Sequence, residues 1–227
     1  MIDEQDSSNS STPVPTKLTT TKQRWAREGR FLTGRTARPD ADRLPPGQHV
    51  VKDWPVLDLG EQPNIATERW RLDVFGAVEN PASWDWNQFQ QMPQTQDVSD
   101  IHCVTSWSRY DNRWDGVRAQ EVLNAVMPKP DAGFVVLHSY DGYTTNITLD
   151  DFAAEGTLLA HHWQGEPLSR EHGGPLRLIV PHLYFWKSAK WLSRIEFTSV
   201  DKPGYWEVNG YHNRADPWTE QRYSDDP

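Results

Sequence analysis

The chain has 227 residues, a formal net charge of -9 and a mean hydropathy of -0.78. That is enough for one medium domain and too polar for a membrane span, and its acidity argues against nucleic acid as a main partner. Its single cysteine excludes an intrachain disulfide and any Cys₄ or Cys₃His zinc site within the chain.

Residues 1–20 are rich in Ser, Thr, Asp and Pro and read as a disordered tail. Residues 21–43 read as a basic N-terminal segment. Basic residues at 17, 22, 24, 27, 30, 35 and 38 face one acid, Glu28, between Lys17 and Arg38. Within it, Gly29 to Thr36 reads GRFLTGRT and nearly matches a phosphate loop. Arg35 replaces the lysine and no apolar strand precedes Gly29, so a nucleotide site is not expected. Neither a charged-then-apolar leader nor a twin-arginine pair is visible, so a cytoplasmic protein is expected.

Residues 44–222 have globular composition. LPPGQHVVKDWPVLDLG (44–60) reads as an extended loop. Trp70, Leu72 and Val74 alternate as in a half-buried strand. Val117 to Val126 fits a short amphipathic helix, and Phe134–Leu137 and Leu176–Val180 fit buried strands. Asp150 and Asp151 stand where a helix could be capped, before Phe152 and Ala153. Trp191–Phe197 alternates less cleanly. GYWEVNGYHNRADPW (204–218) either seals a core or lines a site, and 223–227 reads as an acidic, frayed end. Many short strands and a few short helices predict an α+β fold, mainly β.

Two stretches carry chemical interest. Cys103 lies in DIHCVTSWSRYDNRWDGV, where His102, Thr105, Ser108, Arg109 and Asn112 exceed the polar need of a core strand. The residues leave three readings open: a small buried thiol, a nucleophile with a histidine base, and a soft ligand for a metal. The second stretch is EHGGPLRLIVPHLYFWKSAKWLSRI. Arg170, Arg177, Lys187, Lys190 and Arg194 form a basic island there, with Ser188 among them. Cations with hydroxyls suit a phosphate, and the Gly173-Gly174 pair lets backbone approach a neighbour closely. His161 and His162 are adjacent and would face opposite sides of a strand, which argues against a shared metal.

The order HCVTSWSRYDNRWDGV, then HGGPLRLIVP…KSAKWLSRI, then GYWEVNGY resembles the sulfite oxidase family of molybdopterin-dependent oxidoreductases. The likeness runs over roughly 44–222 and is nearest the small soluble bacterial members that carry only the molybdenum domain. The resemblance implies a molybdopterin-binding domain of mixed sheets with short helices. It also implies molybdenum held by a pyranopterin dithiolene and by one cysteine, matched by Cys103. Pterin contacts carry over to His172, Arg177, Ser188 and Lys190, with Lys187 nearby, to Ser139 in LHSYDG, and to Gln48 and His49 in the N-terminal loop. Tyr211 matches the tyrosine that faces the metal and is implied to hydrogen-bond the equatorial oxo group or the substrate oxyanion, with Arg109 as a further candidate there.

The stretch VTSWSRYDNR departs from the arginine cluster of sulfite-oxidising members, since Arg109 and Arg113 do not share its register. Sulfite, S-oxides and N-oxides therefore stay open as substrates. No haem domain and no second β domain are expected, so electrons would pass to or from a separate protein or carrier. The expected activity is oxygen-atom transfer to or from a small sulfur or nitrogen compound. The rivals are a non-catalytic binding module of the same fold and a cysteine hydrolase using Cys103.

Overall fold

The computed structural model describes residues 43–226, so the tail 1–20 and most of the basic segment 21–43 lie outside the described residues. The expected strand at Trp70–Val74 is β2, Arg71–Gly76. It pairs antiparallel with β3, Ala82–Asp85, and parallel with β11, Leu192–Thr198. β11 pairs in turn with β6, Phe134–Ser139, which pairs with β7, Thr144–Thr148. These five strands form one sheet, in the order β3-β2-β11-β6-β7.

A second sheet is built on a long hairpin of β4, Gln94–His102, and β5, Trp107–Arg118. β5 also pairs with β1, His49–Val50, and with β8, Leu158–Trp163. β8 carries β9, Glu166–Pro167, and β10, Arg177–Ile179. β4 escaped the sequence reading because its inward residues are mostly polar. Asp97 bonds Arg118, and Ser99 Oγ accepts from Trp114 Nε1, so burial is satisfied by pairs rather than by apolar alternation.

The main core contains side chains of both sheets: Leu72, Val74, Leu137, Ile195 and Phe197 from one, Val117, Leu159 and Leu178 from the other. Alternate residues Leu158, Ala160, Ile179 and Trp114 join a second cluster with Cys103, Trp54 and Trp107. β8 and β10 are thus apolar on both faces, which is why their sequences run apolar without a break. The four α-helices among the described residues are α1, Trp86–Gln90, α2, Ala119–Val126, α3, Leu149–Ala153, and α4, Tyr205–Val208. The expected amphipathic helix is α2, two residues shorter at its start because Val117 and Arg118 complete β5. The cap of α3 is Thr148, whose Oγ1 accepts from Asp151 N at 3.0 Å, in place of the expected aspartates.

His161 is the extra residue of a bulge in β8, since Asp115 faces His162 while Gly116 faces Ala160. The two imidazoles therefore meet Nδ1 to Nδ1, against the expectation that they diverge. Among the described residues, no helix is long and apolar enough to cross a membrane. The fold is mainly β with mixed sheets and short helices, as the sequence led one to expect.

Candidate molybdopterin site

A cavity of about 320 Å³ opens beside the β4–β5 turn. Cys103 lies at the end of β4, its N–H bonded to Trp107 O at 2.8 Å, while Ser106 N returns to Cys103 O at 3.0 Å. Ser106 takes a positive φ of 74°, which lets the turn close. The thiol is buried yet lines the cavity, and its Sγ lies 3.1 Å from Thr105 Oγ1. Burial pushes the Cys103 thiol up, while the Thr105 hydroxyl and nearby amides pull against it. Ligation by a metal would remove that proton, because the thiolate is the ligand. Among the described residues no histidine lines the cavity, so none there stands beside the thiol as the base that a cysteine hydrolase needs.

Around Cys103 the wall is aromatic. Tyr211 lines the cavity with Trp186 at 5.0 Å and Trp206 stacked at 4.8 Å between ring centroids. Burial raises the pKa of the Tyr211 hydroxyl, so it keeps its proton at neutral pH and can donate.

Two cations also line the cavity. Arg177 is 1% exposed and lies on β10, with Phe185 and Trp54 rings 4.3 and 5.4 Å from its guanidinium carbon. It donates to the carbonyls of His172 and Ser188, both at 2.8 Å. Burial alone pushes its pKa down to about 9. Lys190 Nζ donates to Glu171 O at 2.7 Å, and burial, followed by Arg177, pushes its pKa down to about 8. Among the described residues neither cation forms a salt bridge, although both line the cavity. Ser188 and Ser139 also line it, and the buried Ser139 Oγ has no hydrogen-bond partner among the described residues.

These features fit the group that the sequence suggested. Asp58 and Asp141 also line the cavity and attract Lys190, whereas Arg177 has no acidic neighbour; Arg177 and an orphaned hydroxyl suit a phosphate and the polar edge of a pterin. A soft thiol lining the same cavity suits molybdenum. Residues 59–206 match the family described as the oxidoreductase molybdopterin binding domain.

The chain belongs to that family.

Its members bind molybdopterin with molybdenum, and the sulfite oxidase type of domain is the one matched. An uncharacterized oxidoreductase, YuiH of Bacillus subtilis, is 49% identical over 193 residues, 84% of this chain and 98% of the relative. A protein-methionine-sulfoxide reductase catalytic subunit of Campylobacter jejuni is 26% identical, covering 63% of this chain. This chain spans about half the length of that relative (54%). The sulfane dehydrogenase SoxCD of Paracoccus pantotrophus shares the fold, with a TM-score of 0.59 at 18% identity over 70% of this chain and 46% of that one. The chain is thus an oxidoreductase of the molybdopterin class.

The cavity brings together Cys103, Tyr211, Arg177, Ser188, Lys190 and Ser139. Four other candidates back this group without lining the cavity. His172 stacks on Trp54 at 3.9 Å and donates Nε2–H to its carbonyl, bracing the residue that does line it. Gln48 is buried behind Cys103. His49 is exposed on β1, held by its backbone. Lys187 is fully buried and paired with Glu207 at 2.5 Å, so its charge is already spent.

Arg109 also turns away. Its Nε donates to Lys52 O, its Nη1 to Asn112, and its guanidinium lies 4.7 Å over Trp163. The expected backbone approach at the glycine pair is real, but its neighbour is the chain itself. A Cβ on Gly173 (φ 101°) would sit 2.9 Å from Lys190 Cβ. Sequence reasoning missed Trp54 and Trp186, and raised Trp206 only as part of the 204–218 stretch. Only their aromatic density hinted at them, because what joins them is the tertiary fold.

Proposed function

We propose that the chain reduces a neutral S-oxide or N-oxide, taking electrons from a separate donor. The observation that carries this reading is the distribution of cations along the cavity. Arg177 and Lys190 are the lining cations, and both are bonded to backbone carbonyls of residues 171–188, whereas Tyr211 packs on Trp186 and Trp206 and feels the charge of the Cys103 sulfur. The wall near Cys103 offers Thr105, Trp186, Trp206 and Tyr211, with Arg109 engaged elsewhere. An aromatic wall with one hydroxyl donor favours a polar but uncharged substrate over the sulfite anion.

In this reading Cys103 ligates molybdenum, and Arg177, Lys190, Ser188 and Ser139 hold the pterin and its phosphate. His172 braces Trp54 and gives its carbonyl to Arg177. The bound group supplies two-electron oxygen-atom transfer: substrate S-oxide, two electrons and two protons yield the sulfide and water. Tyr211 donates its hydroxyl proton to the substrate oxygen as a hydrogen bond, and Trp186 and Trp206 fix the ring that carries it.

Purified holoprotein, reduced by a viologen dye, is assayed with methionine sulfoxide, dimethyl sulfoxide and trimethylamine N-oxide. Sulfite oxidation is followed with ferricyanide. The expected result is a kcat/KM for an S-oxide or N-oxide at least ~100-fold above that for sulfite, about 2.7 kcal/mol of discrimination. Preference for sulfite would overturn the neutral-substrate reading. Cys103→Ser is expected to abolish turnover, and full turnover in that variant would overturn the ligand assignment.

A further inference from the structure

The turn that carries Cys103 is held from two remote parts of the chain. From one side, Gln48 Nε2 donates to the Cys103 carbonyl at 3.0 Å. From the other, Arg222 Nη1 donates to the Val104 carbonyl at 2.6 Å, and its Nη2 lies 3.4 Å from Pro46 O. The Arg222 side chain is 14% exposed, and its guanidinium carbon lies 5.1 Å from the centroid of the Tyr184 ring. Tyr184 stacks on Trp186, which meets Tyr211.

Arg222 is placed by a C-terminal strap. Tyr211 bridges Tyr223, His212 N donates to Arg222 O at 3.1 Å, and Ser224 N donates to Gly210 O at 3.0 Å. Asp226 Oδ2 accepts from both Arg222 N and Tyr223 N and closes the loop. One short ladder therefore aims Tyr211 at the cavity and sets Arg222 on the backbone beside the thiol. Gln48 and Arg222 both lie outside residues 59–206, the part matched by the family.

We propose that Arg222 is a positioning residue: through the Val104 carbonyl it fixes the Cys103 turn and so the direction from which sulfur meets the metal. A charged fork bonded to a carbonyl is stronger and more directional than a neutral donor. Partners of this kind typically change metal affinity or activity 10- to 100-fold. The proposal rests on the reading of Cys103 as the ligand.

The test compares native protein with Arg222→Gln and Arg222→Lys. In apoprotein, hydrogen exchange of the 103–107 amides is expected to rise about tenfold in Arg222→Gln and about threefold in Arg222→Lys, with β2 and β11 unchanged. In holoprotein of full molybdenum content, the Mo(V) electron paramagnetic resonance signal of Arg222→Gln is expected to shift or split, with Arg222→Lys between. Native exchange and a native signal in Arg222→Gln would overturn the proposal. If Arg222→Gln fails to fold, unchanged exchange in Arg222→Lys overturns it instead. Cys103→Ser separates the two readings. An unaltered signal there overturns the ligand assignment and this proposal with it, whereas an altered one leaves the outcome to Arg222.

Discussion

Arg177 and Lys187 stand ten residues apart on one basic stretch, and both are buried, yet the fold gives them opposite surroundings. Lys187 faces Glu207 at 2.5 Å and the Asn146 carbonyl at 2.8 Å and does not line the cavity. Arg177 faces the cavity with backbone carbonyls and aromatic faces as its only described partners. One region has its anion within the chain, and the other is built to receive one. Total charge does not distinguish them; the partner does.

The largest effect should come from breaking the closed region. Lys187→Met leaves Glu207 buried and unpaired, with an expected cost of about 3–5 kcal/mol in urea unfolding. Replacing both, by Lys187→Met with Glu207→Leu, should recover most of that. A Lys187→Met protein of native stability that has lost molybdopterin would erase the contrast.

A third basic group is buried by neutrality. His161 is 8% exposed, and burial, then His162, pulls its pKa from 6.5 down to about 4. The unfolded chain then takes up a proton at a higher pH than the folded one. Stability is full above pH ~6.5 and falls as pH drops towards 4, by up to ~3 kcal/mol at 1.36 kcal/mol per pH unit. His161→Phe should flatten that slope in urea titrations between pH 7 and 4, whatever its absolute stability. An unchanged slope would assign the acid sensitivity elsewhere.

Opening the receptive region should act on the cofactor more than on the fold. Arg177→Met is expected to lower molybdopterin retention about 10- to 100-fold, as loss of a charge-assisted contact implies. Its apoprotein should unfold at a midpoint nearer native than that of Lys187→Met. The smallest effect belongs to Ser139→Ala. With no partner to lose, its apoprotein should stay within about 0.5 kcal/mol of native, while cofactor affinity falls about tenfold. Equal losses of stability and cofactor in Arg177→Met would make that residue a second Lys187.

Much of this was legible in the sequence for physical reasons. β6, β10 and α2 bury apolar side chains, so their periodicity announces them. β4 announces nothing, because Asp97 and Ser99 point inward onto Arg118 and Trp114. The thiol, Arg177, Ser188 and Lys190 could be named because few other residue types suit a soft metal and a phosphate. Arg222 could not, since nothing near it in the chain distinguishes it from a surface arginine.

The sequence by itself determined the mainly β class, the lone cysteine and the basic stretch around Arg177, because composition and periodicity are local properties. The tertiary structure decided which of the basic groups has a carboxylate, since Glu207 reaches Lys187 only when α4 folds back. It also decided that His161 and His162 share a side, and that a C-terminal arginine holds the Cys103 turn. Such partnerships, from adjacent residues at a bulge to residues 118 apart, depend on register and packing, which leave no local mark in the chain.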